Sequence, residues 1–326
     1  MNRKKRVAII TPTLAASNSG NWHTAARWAR FLRPRYHVAV DQQWNGTDAD
    51  CLIALHARRS AASIADFFRA FPERPLIVVL TGTDIYRDID RDRRAQRSLE
   101  LATRLVVLNE LGPRRLPTQL RGKATVVLQS APALKPGVHR KRGFDIAVVG
   151  HLRDEKDPRL VWEMMSQLPV DLPVRVFHAG AALDPVLGRI AAKTARSDAR
   201  YVWLGDVSRR RARHLMRDAH LLLHPSKMEG GAQAIIEAIT AHTPVIASRI
   251  DGNAGLLGAD YAGLFTPGDA AAAVRLVTRA AREPEFYARL RSVCERRAHL
   301  FAPERERGAV NRLVDNCLNT RLRSKR

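Results

Sequence analysis

The sequence predicts an α/β protein made of two doubly wound domains, on three observations. Short apolar runs alternate with helical patterns along most of the chain, as parallel sheets wrapped by helices require. The 326 residues exceed what one core usually holds, so two domains of about 150 residues are expected. The alternation breaks once, from Ala131 to Gly143, where two prolines, two glycines and a basic run interrupt the apolar periodicity and mark a linker.

In chain order, Val7–Thr11, His37–Asp41, Cys51–Leu55, Leu76–Leu80, Leu105–Leu108 and Thr125–Leu128 read as strands. Helices are expected near Thr24–Leu32, Ser63–Ala70, Gln96–Ala102 and Leu111–Leu120. The pattern restarts with strands at Phe144–Val149, Val174–Phe177, Tyr201–Leu204, His220–Leu223, Pro244–Ala247 and Gly263–Phe265. After Pro267 the periodicity is helical, over Ala270–Ala281, Pro284–His299 and Pro303–Leu318, and these helices are expected to pack back on the domain junction. The expected division is a first domain over 1–135, a linker over 136–143, a second domain over 144–302, and a C-terminal helix with a basic tail over 303–326. Open sheets bind ligands outside the carboxyl ends of their strands, so a cleft between the two domains is the expected site.

The formal charge of +23 invites a nucleic-acid or membrane reading. The excess is arginine scattered over expected helices, with dense blocks only at Asn2–Arg6, Arg140–Arg142, Arg209–Arg213 and the Arg321–Arg326 tail. A compositional bias, with Arg209–Arg213 as a solvated helix face, is the simpler account, and no nucleic-acid partner is expected. Cys51, Cys294 and Cys317 are odd in number and widely spaced, which suggests neither a disulfide framework nor a zinc site. Only four apolar residues, Val7–Ile10, follow the basic start, too few for a signal-peptide core, and no run approaches the ~18 residues that span a bilayer. A soluble, cytoplasmic protein is expected.

The densest chemistry lies between His224 and Ile250. Leu221–Leu223 read as a buried strand ended by Pro225 and Ser226, and Gly230 and Gly231 allow close backbone approach before a helix beginning near Ala232. Free N–H groups at such a helix start favour a phosphate, while Glu237, inside the helix, suits neutral hydroxyls such as a ribose diol. The second domain opens with Gly150-His151-Leu152-Arg153-Asp154-Glu155-Lys156 after a strand. Arg153 and Lys156 there can neutralise a diphosphate and the charge growing on it as it leaves. The cluster outlines a nucleotide-sugar site.

These residues resemble the donor half of GT-B glycosyltransferases, two Rossmann-like domains facing across a cleft, and in particular the large family-4 group. Members read G-R-L-x-x-x-K-G near the start of the second domain and P-S-x-x-E-G-x-x-x-x-x-x-E-A further on, followed by a P-V-I-A-S strand. The resemblance implies that Lys156 holds the donor diphosphate, that Glu229 lies near the sugar hydroxyls, that Gly230, Gly231, Ala232 and Gln233 offer amides to sugar and phosphate, and that Glu237 binds the ribose. Two positions depart from the pattern. His151 replaces the arginine after Gly150, leaving Arg153 as the second diphosphate cation, and Asp251-Gly252-Asn253-Ala254-Gly255 stands where G-G-x-x-E is usual, which puts hexose contacts from that loop in question.

The first domain is similar to a small bacterial branch, the selenosugar synthases of selenoneine biosynthesis, in Asn18–Thr24, Leu55–Ser60 and Val79–Asp88. That resemblance implies transfer of the sugar of a UDP-sugar, UDP-N-acetylglucosamine, to selenophosphate, with UDP and a selenosugar leaving and phosphate lost from selenium afterwards. It also implies partner enzymes that supply selenophosphate and use the selenosugar. All three segments follow expected strands and project toward the cleft. Gly20 and Asn21 are read as a loop that admits a sugar or phosphate, and Trp22 as a residue that stacks on sugar or uracil. Thr81, Thr83, Arg58, Arg59 and Arg87 are read as an anionic acceptor's partners, since a bound oxyanion needs paired charge. His56 reads as a base or acceptor ligand, or as a histidine bonded to neighbouring backbone. Asp84 reads as an orienter of His56, an acceptor contact, or a cap on the following helix. Trp28 reads as core. D-x-D triplets stand at Asp48–Asp50, Asp88–Asp90 and Asp90–Asp92, but none is read as that of a metal-dependent transferase, so no metal cofactor is expected and Lys156 with Arg153 would supply the electrostatics. Two other readings remain: a family-4 transferase using a hydroxyl acceptor of the cell envelope or a lipid, and a non-catalytic nucleotide or nucleic-acid binding protein.

Overall fold

A computed structural model of the chain describes residues 3–14, 19–137 and 143–323. Part of the expected linker, the Arg140–Arg142 block, Asn2, Asn18 and the last three residues of the basic tail lie outside the described residues. The chain divides into two compact units, one of residues 1–129, 229–231 and 303–326 and one of residues 130–228 and 232–302.

Unit 1 runs β1 (Arg6–Ile10), α1 (Gly20–Leu32), β2 (His37–Asp41), β3 (Cys51–Leu55), α2 (Ala61–Ala70), β4 (Leu76–Leu80), α3 (Arg93–Leu101), β5 (Arg104–Val107) and β6 (Ala124–Val126). Its six strands are parallel in the order β2-β1-β3-β4-β5-β6. Alternate side chains leave opposite faces of the sheet. Ile53, Leu55, Ile77 and Val79 therefore enter one core with Trp28 and Leu32 of α1, while Leu52, Ala54, Val78 and Leu80 enter another with Ile64 and Phe67 of α2 and Leu99 of α3. The first core also takes Val310, Leu313, Val314, Cys317 and Leu318 from a C-terminal helix, Pro303–Arg323.

Unit 2 runs β7 (Phe144–Val149), α4 (Pro158–Gln167), β8 (Val174–Ala179), α5 (Pro185–Ser197), β9 (Tyr201–Gly205), α6 (Arg209–Asp218), β10 (Leu221–His224), α7 (Gln233–Ile239), β11 (Val245–Ser248), α8 (Asp251–Leu257), β12 (Leu264–Phe265), α9 (Ala270–Arg282) and α10 (Pro284–Arg297), and the C-terminal helix of unit 1 is α11. Its six parallel strands follow the order β12-β11-β10-β7-β8-β9. The doubly wound α/β class expected from the alternation is thus present in both units. Residues 130–134 are held inside unit 2: the Leu134 N–H donates to the Thr240 carbonyl at 3.0 Å and the Arg213 guanidinium to the Pro132 carbonyl.

Three local expectations change. The helix expected near Thr24 starts at Gly20, because the Ser19 hydroxyl accepts the Trp22 N–H and caps it; Gly20 and Asn21 are therefore the first helical turn, not a loop. Leu111–Leu120 is not an α-helix but two 3-10 turns, Gly112–Arg115 and Thr118–Lys123, because Pro113 and Pro117 each remove a donor and fix φ. Asp84–Asp88 forms a π-helical turn that apolar periodicity had not marked. No helix among the described residues is long and apolar enough to cross a membrane.

Candidate functional site

In unit 2, β7 ends at Val149 and the chain turns through Gly150 into a short 3-10 turn, Asp154–Lys156, before Asp157 in the left-handed region (φ 48°) leads to Pro158 at the start of α4. This turn folds Lys156 back over Gly150, whose absent Cβ would lie 3.5 Å from Lys156 Cγ and Cδ. Gly150 and Lys156 line a small cavity of about 10 Å³ with His178, His224, Pro225 and Ser226. Lys227 joins the two loops around it: its Nζ donates to Asp154 Oδ1 at 2.8 Å and its N–H to the Glu155 carbonyl at 2.9 Å. His224 Nε2 and Ser226 Oγ are 3.1 Å apart, and the Ser248 hydroxyl donates to the Ser226 carbonyl at 2.5 Å.

The Gly150 turn rests on two residues that sequence reading missed. His178 donates from Nε2 to the Gly150 carbonyl at 3.2 Å while its Nδ1 accepts from the Tyr201 hydroxyl at 2.9 Å; burial lowers its pKa to about 4, so the ring is neutral. Gly180 packs so closely that a Cβ there would stand 1.9 Å from the Gly150 oxygen. Both lie at the carboxyl end of β8, where ligand-supporting residues of open sheets gather, and that rule is the signal that could have found them. His151 accepts the Ala181 N–H on Nδ1 at 3.1 Å. Burial lowers its pKa, Asp206 opposes this, and the charges of Arg153 and Lys156 add to the lowering. Both cations therefore stand near His151, with Arg153 exposed.

Glu237, 4% exposed on α7, accepts from Arg209 Nε at 2.8 Å on Oε1, and Nη2 of the same guanidinium forms an ion pair with that oxygen at 2.6 Å. Gln233, one turn earlier, lies 3.4 Å from the same oxygen and donates to the Ser130 carbonyl at 3.2 Å. Arg209–Arg213 is thus not a uniformly solvated face. Arg210 and Arg211 are exposed, but Arg209 is partly buried on a carboxylate, and Arg213 is partly buried too, with its pKa lowered by burial against the pull of Glu237. α7 begins at Gln233, one residue past Ala232, which is buried and has no side-chain cap. The Asp251–Gly255 segment is the start of α8, where Asn253 donates to the Ser248 carbonyl and hydroxyl at 3.0 Å.

Glu229, Gly230 and Gly231 belong to unit 1. The Gly230 carbonyl accepts from Asn109 Nδ2 at 2.8 Å, and a Cβ on Gly230 would lie 2.4 Å from the Thr81 carbonyl. A Cβ on Gly231 would lie 2.8 Å from Gln129 Oε1. Gly230 therefore lies close against the Thr81–Gly82 backbone, and Gly231 against the side chains of Gln129 and Leu108.

The other cluster in unit 1 gathers at the carboxyl ends of β3 and β4. His56 is 2% exposed and takes a left-handed backbone, φ 72°, a conformation that non-glycine residues rarely hold without reinforcement. Its N–H donates to the Val79 carbonyl at 2.8 Å, Nδ1 accepts the Arg59 N–H at 3.4 Å, and Nε2 lies 3.0 Å from Thr83 Oγ1. Burial lowers its pKa, and Asp84, 3.9 Å from Nδ1, opposes this. Asp84 does not cap the following turn. Fully buried, it accepts the N–H groups of Thr81 at 2.9 Å, Gly82 at 2.8 Å and Ala57 at 3.0 Å, fastening the two strand-end loops together. Asp88, which sequence reading left out, accepts from Arg58 Nε at 2.8 Å and Arg87 Nε at 3.2 Å; its place four residues after Asp84, on one helical face, was the available signal. Arg59 is exposed. Trp22, on the first turn of α1, is partly buried. Trp28 lies in the core, its Nε1 donating to Glu306 Oε1 at 2.8 Å. Among the described residues no group of three or more His, Cys, Asp or Glu is arranged to hold a metal ion.

The chain is thus an α/β protein of two doubly wound units, the second of which carries both the lysine-covered glycine turn and the buried carboxylate Glu237. Residues 133–297, just over half of the 326-residue chain, match the family of glycosyl transferases group 1, and the chain belongs to that family. It takes sugar from a nucleotide donor, as the family does. The fold is similar to that of Anabaena Alr3699/HepE, solved with UDP and glucose, at TM-score 0.77 and 15% identity over 96% of this chain and 100% of that one. It is likewise similar to sucrose-phosphate synthase from Thermosynechococcus elongatus, at TM-score 0.78 and 15% identity over 97% and 100% of the two chains. A third is WaaB, a lipopolysaccharide outer core galactosyltransferase in its apo form, at TM-score 0.70 and 14% identity over 97% and 99%. At these identities the likeness is one of fold, the GT-B fold. Among curated proteins, none matches the chain.

Proposed function

We propose that this glycosyltransferase joins selenophosphate to the anomeric carbon of UDP-N-acetylglucosamine in the cytoplasm, without a metal. The observation that carries the donor half is the turn in which Lys156 covers Gly150 beside His178, His224 and Ser226. Lys156 and Arg153 take the diphosphate there, Glu237 takes the ribose, and Glu229 with Gly230–Gln233 serves the sugar. A UDP ligand in the similarly folded HepE supports uracil as the base. Arg58, Arg59 and Arg87 serve the acceptor: Arg58 and Arg87 share one carboxylate, Asp88, so the group keeps net positive charge for a small polyanion. Thr81 and Thr83 line the same strand ends, Trp22 covers the acceptor, and Asp84 supports the turn rather than touching substrate.

In the reaction, the selenium lone pair forms a bond to the anomeric carbon as the bond from that carbon to the UDP oxygen breaks, its electron pair going to the diphosphate. Lys156 and Arg153 stabilise that charge. Water then cleaves the phosphorus–selenium bond, releasing phosphate and the selenosugar. A selenophosphate is anionic and polarisable, so positioning matters more than deprotonation.

One observation favours a second reading, transfer to a hydroxyl. The buried His56, held beside Asp84 and Asp88 with its pKa lowered, is a neutral ring suited to take a proton from an alcohol. Mass spectrometry of a reaction with UDP-N-acetylglucosamine and fresh selenophosphate, against thiophosphate and acceptor-free controls, separates the two. The expected product is a hexosamine mass carrying the selenium isotope pattern, lost in Lys156→Ala and Arg58→Ala. UDP release only in the presence of sugar alcohols would move the assignment to the second reading.

A further inference from the structure

Arg209 occupies the first position of α6, a helix whose start is set by Ser208, whose hydroxyl accepts the Arg211 N–H at 3.2 Å. From there its guanidinium meets Glu237 with two nitrogens on one oxygen, Oε1. The Gln233 amide falls on that same oxygen. Among the described residues no hydrogen bond falls on Oε2, and Oε2 is not among the buried side-chain atoms left without a partner, so it is open to an incoming donor. A carboxylate free at both oxygens could accept from both hydroxyls of a vicinal diol; one held at Oε1 presents a single strong acceptor.

We propose that Arg209 is a positioning residue for the donor's ribose: it holds Glu237 by Oε1 so that Oε2 accepts one ribose hydroxyl, making nucleotide recognition one-sided. The proposal rests on the reading of Glu237 as the ribose contact. Arg213 also feels the charge of Glu237, so the carboxylate keeps a cationic neighbour when Arg209 is truncated.

The probes are UDP and its 2′-deoxy and 3′-deoxy analogues, titrated into the purified full chain by calorimetry. In the wild type, one analogue is expected to bind roughly ten- to hundredfold more weakly than UDP, the loss of a hydrogen bond to a charged group, and the other within about threefold. Arg209→Met is expected to bind UDP more weakly and to bring the two analogues within about threefold of each other, because Oε1 is released and the carboxylate can reach either hydroxyl. Thermal unfolding verifies that the variant is folded, and Arg209→Gln takes its place if it is not. A merely structural arginine would shift the unfolding temperature and leave the ratio of the analogues alone. Equal weakening of both analogues in the wild type, or a wild-type ratio in a folded Arg209 variant, overturns the proposal. If Glu237→Ala leaves the analogue penalties unchanged, the ribose reading itself fails; if Glu237→Ala abolishes them and Arg209→Met does not, only the role of Arg209 fails.

Discussion

Buried in β8, His178 gives its Nε2 proton to the Gly150 carbonyl and takes a hydrogen bond on Nδ1 from the Tyr201 hydroxyl. A second proton would leave two donors facing across Nδ1 and an uncompensated charge in the interior. That is the cause of the pKa near 4. The unfolded chain holds its proton up to about 6.5, so between the two values the unfolded state binds more protons. Stability is then complete above about pH 6.5 and falls as pH drops toward 4, by on the order of 3 kcal/mol at most. Melting temperatures between pH 7.5 and 5.0 should fall more in the wild type than in His178→Gln; parallel curves would refute this. The residues legible in the sequence at this scale, Gly150, Lys156, Glu229 and Glu237, stand in short motifs with fixed spacing. Arg209 was misread because its partner lies 28 residues away on another helix, and a run of arginines looks the same whether one member is paired or not.

Strand parity carried most of the element-scale reading: β2, β3, β4 and β7 occupy the residues the apolar runs marked, and their alternate side chains divide between the two faces of a sheet. Turns were less legible, because a glycine alone does not say what approaches it. At Gly180 the neighbour is the Gly150 carbonyl, and a Cβ 1.9 Å from it forces the ends of β7 and β8 apart. Gly180→Ala is expected to cost about 1–3 kcal/mol by overpacking and to weaken UDP binding, measured by urea unfolding and calorimetry. Gly20 is the opposite case. It sits in the first turn of α1 with open space where a Cβ would be, so Gly20→Ala should stabilise the protein by about 0.5–1 kcal/mol with transfer activity intact. Loss of activity in Gly20→Ala would instead support the ligand approach expected at this position.

Across the whole molecule the chain ends by returning to unit 1. α11 buries Val310, Leu313, Val314, Cys317 and Leu318 against α1 and the first sheet, and it seals the contact with a buried ion pair. Glu306 accepts from Arg27 Nε and from Trp28 Nε1, each at 2.8 Å, with side-chain exposures of 0% for Glu306 and 8% for Arg27. Removing one partner of such a pair strands the other charge, so Glu306→Ala is expected to destabilise unit 1 by about 3–5 kcal/mol. A chemical unfolding curve should show that loss; a change below about 1 kcal/mol, the range of exposed pairs, would mean that α11 is held by its apolar face alone.

Fold class, the strand succession and the motif residues of the Gly150 turn were determined by the sequence itself, because apolar period and short-range spacing record which face of an element is buried. Only the tertiary structure decided that α11 completes the core of unit 1, that residues 229–231 belong to that unit, that His178 and Gly180 brace the Gly150 turn, and that Glu237 answers to Arg209. Each of those depends on which distant element supplies the neighbour. A local pattern reports that a residue is buried or charged and carries no information about the partner that satisfies it.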